Sequence, residues 1–183
     1  GRVSIGEGAF SWCESMEDIV IPDSVRVIED WAFTGCQSLR SIRLPNGISK
    51  IGYCCFQSCT SLTTVELPQS VRQICAESFS ECRNLQTIHL PDLLTSIEDN
   101  AFSGCESLSR INLPDHLTEL DNHVFSGCTS LSDFEISPQH PVFRMNGRFL
   151  LNIRENKLIY FAGGRTEKEI IVPDGVEIIA EER

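Results

Sequence analysis

The sequence predicts a β-rich α/β solenoid, in which short coils of chain stack to form one elongated domain. The first observation is a phenylalanine at every 23rd residue, and the second is a cysteine three residues after each phenylalanine. The third is a short apolar alternation, closed by proline, that recurs with the same step. A fixed period of this length is typical of stacked units that bury their apolar faces only against their neighbours. The two series are Phe10, Phe33, Phe56, Phe79, Phe102 and Phe125, and Cys13, Cys36, Cys59, Cys82, Cys105 and Cys128.

One repeat shows how each coil is built. In the third unit, Val65 and Leu67 flank a polar residue, which predicts a short parallel strand with two inward side chains. Pro68 closes that strand because proline lacks the N–H that a central ladder position donates. Val71 and Ile74 indicate a second extended stretch, and a Ser-Phe step then leads through a turn, so each coil has three sides. We expect the first strand of each coil at residues 19–21, 42–44, 65–67, 88–90, 111–113 and 134–136.

The last part of the chain departs from the period. Pro114 and Pro173 are 59 residues apart, which is one regular unit of 23 residues and one of 36. The dipeptides Asn146-Gly147 and Asn156-Lys157 each separate two apolar runs, as hairpin turns do. We therefore expect the longer repeat, residues 137–169, to carry a β-hairpin insertion that forms a meander beside the stack. Residues 1–183 are interpreted as a single solenoid domain and, because both ends fall partway through a repeat, as a fragment of a larger protein.

The repeat C-x-x-L-x-x-I-x-L-P-x-x-V-x-x-I-x-x-x-A-F resembles the BspA-like, or Treponema pallidum type, leucine-rich repeat, and the resemblance covers nearly the whole chain. The long unit is also similar to the longer repeats of such proteins. Membership would imply a right-handed leucine-rich repeat stack displayed on the surface of bacteria or parasitic protists. It would also imply adhesion to host matrix proteins or to other cells. The resemblance therefore indicates a class of function and a cell-surface or secreted location, without naming a ligand.

Composition excludes two classes of partner. The chain carries 15 Lys and Arg against 26 Asp and Glu, a net charge of −11, which repels nucleic-acid phosphates and anionic lipid headgroups. No apolar run approaches the roughly 18 residues that a membrane-spanning helix needs. We therefore expect no nucleic-acid partner and no membrane insertion of this segment.

The nine cysteines fall into two groups. The six ladder cysteines take an inward position in every coil, which favours buried thiols. Their parallel side chains would lie about a strand spacing apart, too far for a ladder of disulfides. Cys54 and Cys75 occupy positions that hold polar residues in other coils, so we expect both to be exposed. They are either two free thiols or one bridge.

The sequence contains no motif for catalysis. The histidines lie on different coils, and neither a nucleophile elbow, nor a P-loop, nor a dinucleotide-binding glycine motif is present. The even spread of cysteines provides no paired ligands of the kind that bind zinc. We therefore predict a protein that is not an enzyme and that needs neither a cofactor nor a metal.

Two surfaces are candidates for binding a protein partner. The outward positions of the first strand vary from coil to coil and include several cations, which could receive acidic groups of a partner through charge-assisted hydrogen bonds. The alternative is a solvated sheet face with incidental charges. Trp12 and Trp31 are expected to be exposed beside the phenylalanine ladder, and Trp31 is the better candidate for an aromatic anchor. The strand-face candidates are Arg40, Arg43, Glu66, His89, Arg110 and Asn112.

Three hypotheses about function remain. The preferred one is a non-enzymatic protein-binding or adhesion module on a microbial cell surface, with a host or neighbouring-cell protein as ligand. The second is a carbohydrate-binding or spacer domain of a surface protein, and the third is an intracellular scaffold. The ligand and the oligomeric state are left open by the sequence.

Overall fold

The computed structural model describes residues 3–163 and 166–180. They form a parallel β-solenoid of about eight turns with a spacing of about 23 residues, which confirms the predicted stack. The strands of this part of the chain are β1 (Val3–Ile5), β2 (Val25–Ile28), β3 (Ser41–Arg43), β4 (Lys50–Ile51), β5 (Thr64–Glu66), β6 (Gln73–Ile74), β7 (Thr87–Ile88), β8 (Ser96–Ile97), β9 (Arg110–Leu113), β10 (Glu119–Leu120), β11 (Asp133–Ile136), β12 (Phe143–Asn146), β13 (Phe149–Asn152), β14 (Lys157–Phe161) and β15 (Ile178–Ile179).

Two sides of each coil carry parallel strands. On the first side β3, β5 and β7 form one sheet, while β9 and β11 form another. On the second side β4, β6, β8 and β10 form a continuous four-stranded sheet. The register steps by one repeat, as in the pairing of Ile42 with Val65 and of Lys50 with Gln73. The inward residues therefore stack above their equivalents.

The third side of each coil is a turn edge, which lies between the second strand and the ladder cysteine. We use this name for residues 6–13, 29–36, 52–59, 75–82, 98–105 and 121–128. Three backbone N–H groups in each of the first five segments donate to carbonyl oxygens of the following coil, and all of them point the same way along the stack. In the second coil the pairs are Trp31 N with Tyr53 O at 2.9 Å, Phe33 N with Cys55 O at 2.9 Å, and Gly35 N with Gln57 O at 2.8 Å.

No helix occurs in the described residues, so the α/β part of the predicted class is wrong and the solenoid is built from strands and turns. Bonds such as Cys36 N to Phe33 O, 3.2 Å, do form tight turns. Two residues in each turn segment have a positive φ, however, and an α-helix needs a negative φ throughout. The first left-handed column is Gly8, Trp31, Cys54, Glu77, Asn100 and His123, and the second is Trp12, Gly35, Ser58, Glu81, Gly104 and Gly127.

The strand predicted at residues 19–21 is absent, and this expectation was also wrong. The stretch is joined to the second coil by a long hydrogen bond, from Arg40 N to Glu17 O at 3.4 Å. The Asp18 side chain accepts the Ile19 N–H at 2.9 Å, which removes that donor from a ladder. The first coil is paired instead on its second side, through β1 and β2.

The phenylalanine ladder forms the centre of the core. Neighbouring rings from Phe10 to Phe102 stack nearly parallel, with centroids 5.3 Å apart. The spacing widens to 6.2 Å between Phe102 and Phe125. Beyond that point Phe134 and Tyr160 meet Phe125 edge-on, so the stack ends against the inserted segment.

The insertion is a three-stranded antiparallel meander, as the hairpin signals predict. β12 pairs with β13 across a turn at Gly147, φ +57°, and β13 pairs with β14 across a turn at Asn156, φ 51°. β14 then pairs in parallel with β15, which returns the chain to the repeat direction. The meander is therefore part of the same hydrogen-bonded structure as the last coil.

A buried histidine fixes the start of the meander. His140 is 1% exposed, and its Nδ1 accepts the backbone N–H groups of Val142 and Phe143 at 3.1 and 3.0 Å. Because Nδ1 is an acceptor, Nε2 carries the proton and donates to the carbonyl of Pro114 at 2.9 Å. One side chain thus joins the insertion to the corner of the preceding coil. Sequence reasoning gave no role to this histidine.

Candidate functional site

The strand face places five of the six candidate side chains in one exposed band. We use this name for the outward side chains of β3, β5, β7, β9 and β11 and the residues that flank these strands. Arg43, Glu66 and Arg110 lie on β3, β5 and β9, and Arg40 comes directly before β3. His89 follows β7 and is also exposed. The sixth candidate, Asn112, is half-buried on β9.

Arg40 and Arg43 pair loosely with carboxylates of neighbouring coils. Arg40 Nη2 lies 3.5 Å from Glu17 Oε2, and Arg43 Nε lies 3.8 Å from Glu66 Oε2. All four side chains are at least 65% exposed. Ion pairs this exposed contribute about 0–1 kcal/mol each, because water and salt screen the charges. Both arginines can therefore exchange their partners at little cost.

Arg110 is held more firmly. Its Nη2 lies 3.2 Å from Asp133 Oδ2 and 2.5 Å from Glu135 Oε1, both on β11. Two carboxylates around one guanidinium leave this part of the face negative. The loosely paired arginines of the strand face are thus limited to the coil that contains Arg40 and Arg43.

Asn112 bridges two coils where the sheet is interrupted. Its Oδ1 accepts the Leu90 N–H and its Nδ2 donates to the Leu90 carbonyl, both at 2.8 Å. In an uninterrupted pair of coils the same bond runs between backbones, from Leu44 N to Glu66 O at 3.2 Å. The amide side chain therefore replaces a backbone ladder between the sheet that ends at β7 and the sheet that begins at β9.

A shallow hollow lies beside Arg43 on the strand face. It has a volume of about 280 Å³ and is lined by residues of the first two coils, among them Asp18, Val20, Asp23 and Arg43. Val20 is 87% exposed and contributes an apolar surface beside the charges. A side chain of a partner could enter this hollow and reach Arg43.

The turn edge carries an aromatic cluster around Trp31. The Trp31 and Tyr53 rings meet edge-to-face with centroids 5.1 Å apart. The Tyr53 hydroxyl donates to Glu77 Oε1 at 3.4 Å, and Gln57 Nε2 donates to Glu77 Oε2 at 2.8 Å. Trp31 is 36% exposed, in agreement with the expectation from its position. The cluster therefore joins rings and a carboxylate across three coils.

The profile of one family matches most of the chain. This family is described as "BspA type Leucine rich repeat region (6 copies)", and the match covers residues 3–132. The chain belongs to the BspA-type leucine-rich repeat family. The resemblance seen in the repeat is thereby confirmed. The match ends shortly before the meander begins.

Solved structures of bacterial leucine-rich repeat proteins are similar to this BspA-type chain. The T. pallidum leucine-rich repeat protein TpLRR is 34% identical with a TM-score of 0.59, over 60% of this chain and 51% of its own. A protein from Bacteroides ovatus is 31% identical with a TM-score of 0.57, over 73% of this chain and 40% of its own. The pneumococcal vaccine antigen PcpA is 21% identical with a TM-score of 0.76, over 97% of this chain and 46% of its own. At this identity the similarity concerns the fold only. This chain spans about half or less of the length of these three proteins. No curated protein sequence matches it.

The expectation that Cys54 and Cys75 are exposed was wrong for this BspA-type stack. Their exposed fractions are 3% and 8%, and both thiols are free. Burial is the largest effect on each thiol and raises both pKa values, that of Cys75 to about 11. Cys54 is covered because its backbone turns at φ 52° and its Sγ lies 4.0 Å from Glu77. Neither is a reactive surface thiol.

Residues 3–163 and 166–180 contain no group of three or more His, Cys, Asp or Glu side chains that could hold a metal ion. Nor does this part of the chain contain a helix that could cross a bilayer. The positions that carry distinctive chemistry in this BspA-type stack are the strand face and the turn edge.

Sequence reasoning missed the backbone geometry of the turn edge. Trp31, Cys54 and Glu77 all adopt a positive φ at equivalent positions. A signal was present, because Gly8 and Asn100 occupy the same column and the second column contains three glycines. Glycine and asparagine are the residues that adopt this conformation most readily.

Proposed function

We propose that this chain is a non-enzymatic protein-binding module whose strand face contacts acidic groups of a partner protein. The observation that carries this proposal is the pair of exposed arginines, Arg40 and Arg43, whose ion pairs at 3.5 and 3.8 Å are loose. Arg43 lies on β3 and Arg40 directly precedes it, and the ladder with β5 holds this strand rigidly. A rigid site loses little conformational entropy when a partner binds.

The exchange of partners explains how such a site gains affinity. A carboxylate of another protein that makes a bidentate contact with Arg43 would displace Glu66, whose contact is long. Bidentate arginine–carboxylate hydrogen bonds are stronger than single contacts because two parallel bonds form to one charged group. The hollow beside Arg43 admits a neighbouring side chain of the partner. Glu66 and His89 would then contact groups next to the acidic residue.

Membership of the BspA-type family supports a binding role. Leucine-rich repeat stacks serve mainly as scaffolds for protein interaction, and such stacks lack enzymatic activity as a rule. The family resemblance further supports display on a microbial cell surface and adhesion to host or neighbouring-cell proteins as the biological setting.

The test reverses the charge of the two arginines. The variant Arg40→Glu/Arg43→Glu and the wild type are compared for binding to immobilised matrix proteins, for example collagen and laminin, by biolayer interferometry. The control carries one equivalent change on the meander, Arg154→Glu, at an exposed position far from β3 in sequence. We expect at least a tenfold weaker Kd for the double variant and less than a twofold change for the control.

Two further results bear on the proposal. Binding through the strand face should weaken as salt rises from 50 to 500 mM, because the contacts are charged and exposed. Equal affinity of the wild type and the double variant for every matrix protein that binds would overturn the role of the strand face.

A further inference from the structure

We infer that the turn edge is a second binding surface, which takes a lysine- or arginine-bearing segment of another protein. The rings of Trp12, Trp31 and Tyr53 and the carboxylates of Asp30 and Glu77 make up this surface, which we call the aromatic patch. It lies on a different side of the coils from the strand face and has the opposite charge preference. The inference does not depend on the proposed role of Arg40 and Arg43.

The exposure of the rings is the first observation. Trp12 is 57% exposed, and Trp31 and Tyr53 are each 36% exposed. The three rings belong to three successive coils. Large aromatic side chains that remain open to water in this way are typical of interfaces, where burial by a partner supplies much of the binding energy.

The backbone under the two tryptophans is the second observation. Trp12 and Trp31 have φ values of 59° and 55°, a conformation that is unfavourable for bulky residues. Other coils place Gly8 at the position of Trp31 and Gly35 at the position of Trp12. A coil of this type therefore folds with glycine, and tryptophan at these positions costs stability. The third to sixth coils also carry non-glycine residues in these columns, so what distinguishes the two tryptophans is the size and exposure of their rings.

The third observation is the charge of the turn edge. The six turn segments contain no lysine or arginine. Arg83, just outside the fourth segment, is paired with Glu81 at 3.1 Å. Eight carboxylates occupy the segments: Glu7, Glu29, Asp30, Glu77, Glu81, Glu98, Asp99 and Asp121. A partner that faces this side of the molecule must therefore be cationic to avoid charge repulsion.

The rings and carboxylates are positioned to bind one cation together. The Trp31 and Tyr53 rings meet edge-to-face, at 85°, so a cation would bind to a ring face that this contact leaves open. The Glu77 carboxylate is 3.4 Å from the Tyr53 hydroxyl, and Asp30 Oδ1 accepts the Tyr53 N–H at 2.9 Å. An ammonium or guanidinium group on the ring face would thus also approach a carboxylate. Cation–π attraction and charge pairing then act in the same direction.

The second tryptophan extends the patch along the stack. The Trp12 indole lies directly against Gly35 in the next coil, where an added Cβ would be 2.3 Å from Trp12 Cε3. From Trp12 to Glu77 the patch spans four coils, which is about 14 Å at the usual strand spacing of roughly 4.8 Å. That length matches about four residues of extended chain. The geometry therefore fits a short extended segment with two or more cationic side chains.

The experiment uses a defined cationic peptide as the probe. It has twelve residues, with four lysines spaced by glycine and serine, and its partner peptide has glutamine in place of each lysine. Trp12 and Trp31 are the two tryptophans of the chain, so intrinsic fluorescence reports directly on the patch. We expect the lysine peptide to change the tryptophan emission saturably and the glutamine peptide to have no effect.

Matched variants separate the patch from general acidity. Glu77→Gln removes one charge at the patch, and Glu66→Gln removes one charge on the strand face. By calorimetry we expect at least a fivefold weaker Kd for Glu77→Gln and less than a twofold change for Glu66→Gln. Trp31→Gly, which introduces the residue that the first coil uses, should also weaken binding at least fivefold without lowering the Tm.

Three results would overturn the inference. One is equal weakening by Glu77→Gln and Glu66→Gln, which would mean attraction to net charge alone. Another is equal binding of the lysine and glutamine peptides. The third is unchanged affinity of Trp12→Gly/Trp31→Gly with its fold intact by circular dichroism.

Discussion

The thiol of Cys59 donates a hydrogen bond to the carbonyl oxygen of Phe33 in the preceding coil, with Sγ and O 3.1 Å apart. The same carbonyl accepts the backbone N–H of Cys36 at 3.2 Å. The arrangement recurs from the second to the sixth coil, with Sγ to O distances of 3.0–3.2 Å. The cysteine and phenylalanine ladders are therefore one hydrogen-bonded structure, and the thiol serves as a small donor that fits inside a dry core.

Replacement of a ladder cysteine tests how much this contact contributes to the stability of the fold. Cys82→Ala removes a fully buried sulfur and its bond to Phe56 O, but the carbonyl keeps its backbone donor. The cost should therefore come mainly from lost packing and amount to about 1–2 kcal/mol of unfolding free energy. Urea denaturation measures it. Cys13→Ala, at the half-buried first position of the ladder, is the control and should cost less than half as much.

The buried thiols also predict a loss of stability in alkali. Burial raises the pKa of Cys82 and of Cys128 from 9.0 to about 12. Between these pH values the unfolded chain releases thiol protons that the folded chain retains, so the free energy of unfolding falls as pH rises above 9. Each thiol contributes about 1.4 kcal/mol per pH unit in this window. Below pH 9 the contribution is fully present.

The slope of stability against pH measures this effect. Urea midpoints at pH 8, 9 and 10, with reductant present, are compared for the wild type and Cys82→Ala. The variant lacks one titrating group, so its loss of stability between pH 9 and 10 should be smaller by about 1 kcal/mol. Identical slopes would show that Cys82 is not the source.

Asn112 should prove structural rather than a contact for a partner. Asn112→Leu leaves the Leu90 N–H and carbonyl without the partners that now lie at 2.8 Å, at a cost of about 2–4 kcal/mol for two unsatisfied groups. The control is Glu66→Leu at the equivalent position of β5, where the backbone carbonyl itself accepts Leu44 N–H. Its effect should stay within about 0.5 kcal/mol. Similar denaturation midpoints for the two variants would contradict this assignment.

The backbone strain at Trp31 can be tested by comparing the stabilities of two variants, Trp31→Ala and Trp31→Gly. Trp31→Ala loses the contact with Tyr53 but keeps the unfavourable φ, whereas Trp31→Gly relieves it. The glycine variant should therefore be more stable than the alanine variant by about 1 kcal/mol. At the exposed position Val20, where φ is not positive, the order should reverse. Thermal denaturation of the four variants measures these differences in stability. If the glycine and alanine variants ranked in the same order at both positions, strain at Trp31 would be ruled out.

His140 should control the docking of the meander. His140→Ala leaves two buried N–H groups and the Pro114 carbonyl without partners, which costs about 3 kcal/mol or more. Hydrogen exchange of the β12 amides should quicken more than that of β4 to β8. His116→Ala, at an exposed position on the neighbouring coil, is the control and should leave both stability and exchange unchanged.

The stack could be predicted from the sequence because the residues that define it point inward and recur in every coil. Phe56, Cys59 and Leu62 have the same environment in every coil, so periodicity alone predicts their burial. The absence of helix could not be predicted from the periodicity. It depends on positive φ values that cross-coil hydrogen bonds impose on residues as different as Trp31 and Glu77.

The candidate surfaces were predictable only in outline. The phase of the strands places Arg43 and Glu66 outward, as observed, but phase does not reveal that the amide of Asn112 turns back to the Leu90 backbone. The exposure of Cys54 was predicted wrongly, because polar residues at equivalent positions of other coils indicate an exposed side chain. The left-handed turns of different coils in fact bury the side chain at this position to different degrees. Such differences depend on neighbours in the next coil, which are 22 to 24 residues away in sequence.

The aligned amides of the turn edge give the stack an electrical polarity. Each of the first five turn segments contributes three peptide groups with N–H toward the following coil, and each group has a dipole of about 3.5 D. Other cross-coil bonds run the opposite way, such as Cys75 N to Ile51 O at 2.9 Å and Arg72 N to Ser49 O at 2.8 Å, so this polarity is partly offset and is confined to the turn edge. The negative pole lies toward the first two coils, which carry Trp12 and Trp31, and the sense is opposite to that of an α-helix. The carbonyl ends of these rows therefore favour cations beside the first coils through the backbone, whatever side chains stand there.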